Sequence, residues 1–388
     1  MYFTPAKLLN MPIYMDRHDL PGGTTAENVA DAHQADIKIQ HKFGCKGLTY
    51  WFDEPTGAAF CLVDAPSAEH VKAMHDNAHG LIPHKIIEVD PGIVRSFLGR
   101  IEDPIMEKTS DGANMNIIND PAFRTIMAID LKESLLIRKN PTYKSSTKQL
   151  DLINDFINKS LIQYKGLEVN HTGESLLSSF ADANNAVLCA LNIMDHFKSL
   201  VNESSQNNIS LHIGLNAGVP VTDEKDIFGD TVLLAKRLCD LAKDKVMVST
   251  EVRNQFHGAH ANIFTNNKSL GSLNPTEENY LTLLMDKTET IWNDTSFTVD
   301  ELCRILGMSK SQLNRRTKLV TGKSPNNLIK DIRLKRALRM IKNQKGNIAE
   351  IAYETGFNSP AYFSKCFQER FGVLPSSYAK HKKEYLYQ

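Results

Sequence analysis

Seven of the thirteen histidines fall within residues 11–90: His18, His33, His41, His70, His75, His79 and His84. His75 and His79 stand four apart, so on a helix they leave one face together, a spacing that can chelate a transition metal. His18 ends a strand-like stretch and can approach that helix. His18, His75 and His79 are therefore candidate metal ligands. Imidazole donors suit Ni, Zn or Cu, and Ni or Zn are the cofactors considered. No cysteine or second histidine pair at this spacing completes the set. Two other readings stand beside this one. The domain can hold an organic ligand in a pocket lined by Tyr50, Trp51 and Phe52. Alternatively it is a structural or dimerising module whose exposed helix merely carries surface histidines.

A second chemistry lies in the last quarter of the chain. Residues 299–316 and 348–367 each read as helix, tight turn, helix. Gly307 and Gly356 sit at the turns, where positive φ is needed. Ser309 and Ser359 follow as N-caps, and Pro360 takes the first helical position. Leu302, Ile305 and Leu313 are placed on one apolar face, as are Ile351, Phe357, Phe363 and Phe367. That leaves Lys310, Ser311, Asn314 and Arg315 outward on one second helix, and Ala361, Ser364 and Lys365 outward on the other. A helix-turn-helix sets its second helix in the major groove, so these seven residues are the candidate readers of double-stranded DNA. Between the units, residues 325–343 read as one amphipathic helix with Leu328, Ile332, Leu338 and Ile341 apolar. From Ser296 to Gln388 there are 18 Lys and Arg against 7 Asp and Glu, a net of +11. The chain is formally neutral, so the preceding 295 residues carry −11. A basic end on an acidic body is the footprint of a phosphate-binding module.

Residues of about 296 to 384 resemble the DNA-binding domain of AraC/XylS-type transcription regulators. The resemblance rests on the Gly-Met-Ser turn at 307–309, Thr321-Gly322-Lys323-Ser324-Pro325, Arg333-Leu334-Lys335-Arg336-Ala337, Ile351-Ala352-Tyr353-Glu354-Thr355-Gly356-Phe357 and Phe371-Gly372-Val373-Leu374-Pro375. It implies seven helices, with two reading helices joined by a rigid linker helix, and RNA polymerase as a candidate partner.

The elements that must position the histidines alternate legibly. Residues 12–17 read as a strand, 26–43 as a helix, 45–53 and 57–64 as strands, 67–79 as a helix and 82–89 as a strand. This βαββαβ order is that of a ferredoxin-like sandwich. Met15-Asp16-Arg17-His18-Asp19-Leu20-Pro21-Gly22-Gly23, Thr49-Tyr50-Trp51-Phe52 and His75-Asp76-Asn77-Ala78-His79-Gly80-Leu81 make the segment similar to a small bacterial family, some of whose members are described as nickel-binding.

Residues 122–265 alternate again: strand 125–131, helix 150–164, a hairpin of 167–170 and 176–180, helix 183–200, strand 209–217, helix 230–242 and strand 246–249. Ile129-Asp130, Thr172-Gly173-Glu174-Ser175, Leu211-His212-Ile213-Gly214-Leu215-Asn216-Ala217-Gly218 and Asp226-Ile227-Phe228-Gly229-Asp230 resemble the catalytic domain of class III nucleotide cyclases. In that family two aspartates hold two metal ions. The resemblance places them at Asp130 and Glu174, the second altered. The purine-reading aspartate and the phosphate-binding arginine fall on Asp226 and Arg237. The purine-reading lysine falls on Asn170, and the ribose-orienting asparagine on Leu233, which cannot hydrogen-bond. Each lost transition-state contact costs ~2.7–4 kcal/mol. Residues Asp130, Glu174, Asp226 and Arg237 therefore read as a vestigial nucleotide site, no catalytic residue is assigned, and a non-enzymatic domain is expected. Asp130 as a loop cap and Arg237 as an ion-pair partner remain open. An ATP or GTP turnover assay separates this reading from a cyclase coupled to DNA binding. Cyclase sites form between two such domains, so the resemblance implies a homodimer through this or the N-terminal domain.

The expected architecture is thus multidomain, α+β followed by all-α. It comprises a ferredoxin-like metal or ligand sensor at 11–90, a degenerate cyclase-like α/β sandwich at 122–265, and a seven-helix double helix-turn-helix at 286–384. Residues 90–121, with a short helix at 93–101, and 266–277 read as connectors. No apolar run reaches the ~18 residues of a membrane helix, and six scattered cysteines suit reduced thiols. A cytoplasmic transcription regulator is expected, without membrane partners.

Overall fold

The computed structural model describes residues 11–104, 117–118, 120–133, 143–172, 175–203, 209–222, 226–256 and 267–385. Glu174 and part of the 90–121 connector lie outside them. The chain divides into two compact units. One comprises residues 1–130, 156–196 and 211–271, the other residues 131–155, 197–210 and 272–388.

The first unit opens with a four-stranded antiparallel sheet ordered β2-β3-β1-β4, built from β1 (Ile13–Asp19), β2 (Lys46–Asp53), β3 (Ala58–Asp64) and β4 (Lys85–Val89). Helices α1 (Ala26–Ile39) and α2 (Ala68–Ala78) complete the ferredoxin-like order. Thr25 caps α1 in a capping box with Asn28. Alternation along the strands sends Tyr50, Phe52, Ala59, Cys61 and Val63 into the core shared with α1 and α2.

The opposite sheet face is equally apolar. Met15, Trp51, Ala58, Phe60, Leu62 and Ile87 enter a second core that continues into the middle of the chain. There a six-stranded sheet runs β10-β9-β8-β5-β7-β6, from β5 (Arg124–Glu133), β6 (Leu167–Thr172), β7 (Ser175–Phe180), β8 (Ile209–Gly218), β9 (Val246–Val248) and β10 (Leu270–Ser272). Helices α4 (Tyr143–Gln163), α5 (Ala183–Glu203), α6 (Gly229–Leu241) and α7 (Thr250–Gln255) complete this region. Between the sheets lies α3 (Pro91–Leu98), capped by Asp90 and ended by left-handed Gly99. Its Val94, Phe97 and Leu98 join the shared core with Ile126 and Ala128 of β5 and Ala235 and Cys239 of α6. Buried Arg124 donates from Nε to the Phe97 carbonyl at 3.2 Å and from Nη2 to that of Leu98 at 3.2 Å. The guanidinium thus satisfies the carbonyls that a helix C-terminus leaves orphaned. The sequence reads as two separate sandwiches; the structure gives them one continuous core.

The second unit carries seven helices among its described residues after position 272: α8 (Pro275–Ile291), α9 (Val299–Leu306), α10 (Lys310–Thr321), α11 (Pro325–Lys342), α12 (Ile348–Glu354), α13 (Pro360–Phe371) and α14 (Pro375–Tyr385). Helix α8 starts earlier than residue 286, in the segment read as a connector, because Asn274 and Glu277 form a capping box ahead of Pro275.

Candidate functional site

The reading surface is built by local rules. Gly307 (φ 62°) ends α9, and Ser309 opens α10 in a capping box with Gln312. Gly356 (φ 80°) turns the chain after α12, and Ser359 caps α13 by accepting from the Tyr362 amide at 3.3 Å. A Cβ at Gly356 would stand 2.9 Å from the Trp292 carbonyl oxygen and 2.8 Å from Arg333 Nε, so both backbone conformation and space demand glycine. Leu302, Leu313, Phe363 and Phe367 are buried, while Lys310, Ser311, Asn314, Arg315, Ala361 and Lys365 are exposed and Ser364 is half-buried. Ile305 departs from the sequence reading: it is 43% exposed, lying off the face of Leu302. Lys310 pairs with Asp300 at 2.6 Å, which ties the start of α10 to α9.

Helix α11 is fastened on both sides. Arg333 donates from Nε to the Trp292 carbonyl and from Nη2 to that of Asp294, each at 2.7 Å. Buried Asp331 accepts from Lys323 Nζ and from Arg370 Nε, each at 2.6 Å, joining α11 to the loop before it and to α13. Burial alone would raise the Asp331 carboxyl, but Lys323, Arg370 and Lys335 bring it down to about 2. Leu334, Ala337 and Ile341 pack with Ile351, Phe363 and Phe367. Tyr280 Oη meets Thr317 Oγ1 at 2.8 Å, holding α8 against α10. The amphipathic reading of the linker missed Asp331 because a lone acid among basic residues looks like a solvated face.

At the N-terminal sheet the structure brings His18, His75 and His79 together, with ring centroids 4.9 Å apart for His18 and His75 and 5.3 Å for His75 and His79. His75 is buried, so the surface-helix reading does not describe it. Three further residues join them. Donor atoms of Asp16, His18, Cys61 and His75 lie within 4.8 Å of one another, as do those of Asp36, His75 and His79. The His75 ring bridges two carboxylates, with Nε2 2.8 Å from Asp16 Oδ2 and Nδ1 3.1 Å from Asp36 Oδ2. Burial works against charge on His75, yet Asp16 and Asp36 push it up to about 10. Burial would likewise raise the Asp16 carboxyl, but His75 and His18 hold it well below the usual range. Burial pushes the Cys61 thiol up. His79 Nε2 lies 3.3 Å from Asp36, and its Nδ1 accepts from the Leu81 amide at 3.1 Å. Carboxylate, imidazole and thiol donors so close suit a borderline transition metal, which must displace the proton that His75 holds. Asp16 and Asp36 were detectable only as acids facing inward, Asp16 by sharing the strand face of His18 and Asp36 by lying three residues from His33 on α1.

A cavity of about 240 Å³ opens beside this cluster. It is not the aromatic pocket expected from Tyr50, Trp51 and Phe52. Those three are buried in the two cores, and the Tyr50 hydroxyl accepts from the Ile118 amide at 2.9 Å.

In the middle region, Asp130 lies within β5, half-exposed, and accepts from Ser175 Oγ at 3.0 Å. Arg237 is buried on α6, Asp226 and Asn170 are exposed, and Leu233 is 36% exposed. By alternation Asp130 shares the β5 face of Ile126 and Ala128, which enter the shared core.

Three family models match successive parts of the chain. Residues 14–89 match "Nickel responsive protein SCO4226-like", residues 125–270 "Adenylate and Guanylate cyclase catalytic domain", and residues 302–381 "Helix-turn-helix domain". Among curated relatives, Histidine kinase P4 of Formosa agariphila is 43% identical over 88 residues, covering 23% of this chain and 6% of that protein. The HTH-type transcriptional regulator MtrA of Neisseria gonorrhoeae is 33% identical over 97 residues, 25% of this chain and 31% of that protein. The chain therefore spans less than a third of these two relatives. The solved structure of SCO4226 from Streptomyces coelicolor is 34% identical and covers 20% of this chain and 94% of that one, with a TM-score of 0.19. The matched segments define the class: a DNA-binding module of AraC type behind two sheet domains. More particularly, the chain joins an SCO4226-like domain, a cyclase-like domain and an AraC-type helix-turn-helix domain. Among the described residues no helix is long and apolar enough to cross a membrane, and all six cysteines are free and buried.

Proposed function

We propose that the protein is a sequence-specific transcription regulator whose N-terminal domain senses a transition metal. The observation that carries the DNA-binding part is the pair of outward-facing second helices, α10 and α13, joined by a linker helix fastened on both sides. Arg315, Asn314 and Lys365 read base edges, Lys310, Ser311, Ala361 and Ser364 complete the contact faces, and the net charge of +11 supplies phosphate attraction. Two reading helices on a stiff linker cover major-groove segments about one turn, ~34 Å, apart. Footprinting of the full-length protein on its selected DNA is expected to protect two such segments; protection of one segment alone overturns this reading.

The metal reading rests on the convergence of Asp16, His18, Asp36, Cys61, His75 and His79. These residues fit a nickel or zinc ion, which when bound would couple site occupancy to the packing of α1 and α2. Calorimetry of the full-length protein with Ni and Zn tests it. His79→Ala removes the least buried ligand and is expected to weaken binding at least tenfold. Equal affinity in the variant removes His79 from the site, and no uptake by the wild type rejects the metal signal.

The middle domain in this reading is a scaffold and not a cyclase. Asn170 and Leu233 withdraw the base and ribose contacts that the resemblance implies. Asp130, Asp226 and Arg237 retain a charge pattern that can hold phosphate without turnover. A homodimer would then use other surfaces of this unit.

A further inference from the structure

We propose that the cavity beside the histidine cluster binds a small organic amine: a compact apolar body of about ten non-hydrogen atoms carrying an ammonium head. The inference rests on the reading of the N-terminal domain as the sensing domain, and not on the metal. The volume is about 240 Å³. Cavities of ~150 Å³ with apolar walls stay dry and take up benzene, so this one has room for a ring and a short chain. Leu20, Pro21, Val29, Ala32, Ala59 and Leu81 form an apolar wall. Val29, Ala32, His33 and Asp36 follow the helical spacing i, i+3, i+4, i+7, so one face of α1 supplies both wall and polar end.

The polar end fixes the chemistry of the head. Asp36 and His33 both line the cavity, at 2% and 5% exposure. Asp36 Oδ1 and His33 Nε2 are buried without a hydrogen-bond partner. The nearest opposite group to each stands long, His79 Nε2 at 3.3 Å from Asp36 Oδ1 and Asp103 Oδ2 at 3.5 Å from His33 Nε2. A buried carboxylate oxygen without a donor is costly, and a ligand that donates to it recovers that cost. The carboxylates gathered here are Asp36, Asp16 behind it and Asp103 beyond His33. A cationic donor is therefore favoured over an anion, and it would make a charge-assisted bond to buried Asp36. The amine and a metal ion then compete for Asp36.

The test uses full-length protein and three probes of one size: 2-phenylethylamine, phenylacetate and ethylbenzene. Calorimetry is run once in EDTA and once with Ni present. The amine is expected to bind in EDTA at least tenfold more tightly than either comparator, and more weakly once Ni is added. Ala32→Phe fills the wall without touching a donor atom. It is expected to cut amine affinity at least tenfold while leaving DNA binding unchanged. Phenylacetate binding as tightly as the amine overturns the proposal, as does an amine affinity insensitive to Ala32→Phe in a folded variant. If that variant does not fold, the wild-type ranking of the three probes decides. Amine binding without Ni binding supports the cavity and rejects the metal, and Ni binding without amine binding does the reverse.

Discussion

The N-terminal cluster and the C-terminal reading helices use polar side chains in opposite ways. Around His75 the carboxylates are buried and paired, Asp16 with His75 and His18 and Asp36 with His75 and His79, with one Asp36 oxygen left without a hydrogen bond. On α10 and α13 most candidate readers face water, and the Asp300 partner of Lys310 is itself exposed. A buried network holds its own fold and changes only when a ligand or proton displaces a member. An exposed set contributes little to the fold and leaves its donors for DNA. Between the extremes lies Asp331, buried among exposed cations, which serves rigidity and reads nothing.

The comparison breaks most visibly at Asp16. Asp16→Asn leaves the His75 ring buried with one carboxylate instead of two, while an amide oxygen can still accept from the Cys61 amide, 3.1 Å from Asp16 Oδ1. Breaking a buried pair from one side costs ~3–5 kcal/mol. Urea unfolding of the full-length variant, followed by Trp51 fluorescence, is expected to show a loss of that order. A loss under about 1 kcal/mol would mean that the cluster is not mutually dependent.

Asp331→Asn is expected to cost less, on the order of 1–2 kcal/mol, because its cationic partners Lys323 and Arg370 are 39% and 45% exposed and screened by solvent. The sign with pH follows from the carboxyl, which lies at about 2 in the fold and near 3.8 unfolded. The unfolded state binds the proton first as pH falls, so this stability is full above about pH 5 and drains away between pH 4 and 2. The curves of the wild type and of the Asp331→Asn variant for the C-terminal transition should therefore converge toward pH 2. Parallel curves across that range would assign the loss to packing.

The same contrast explains what the sequence discloses. The helix-turn-helix units are legible because turn, cap and apolar face all lie within about twenty consecutive residues, and only Ile305 is misplaced by that pattern. The histidine cluster is legible by half. His75 lies on α2 and His79 is the residue that caps its end, but Asp16, Asp36 and Cys61 come from β1, α1 and β3, and only strand register sets Asp16 opposite Cys61. The shared core behind Trp51 and Phe60 is hidden for another reason. β5 reads apolar at every position from Ile126 to Ile129, so no alternation tells which face joins the core of Trp51 and Phe60. Asp331 is hidden because burial of an acid shows only once Lys323 and Arg370 are folded around it.

The smallest expected effect on stability is at Arg315, and it sharpens the comparison from the other side. Arg315 is exposed on α10 and serves no core contact, so Arg315→Ala should leave the urea midpoint of the C-terminal transition within about 0.5 kcal/mol of wild type. Its effect should appear on DNA instead. An arginine bidentate to guanine is worth ~1–3 kcal/mol of discrimination. The variant should lose affinity for the selected site by roughly 5- to 150-fold, while affinity for random DNA falls far less. A phosphate-contacting arginine behaves differently: both affinities fall together and the salt slope drops by about one. Titrating wild type and variant against both DNAs at two salt concentrations separates these outcomes. Equal losses would move Arg315 to the backbone and leave base reading to Asn314 and the residues of α13.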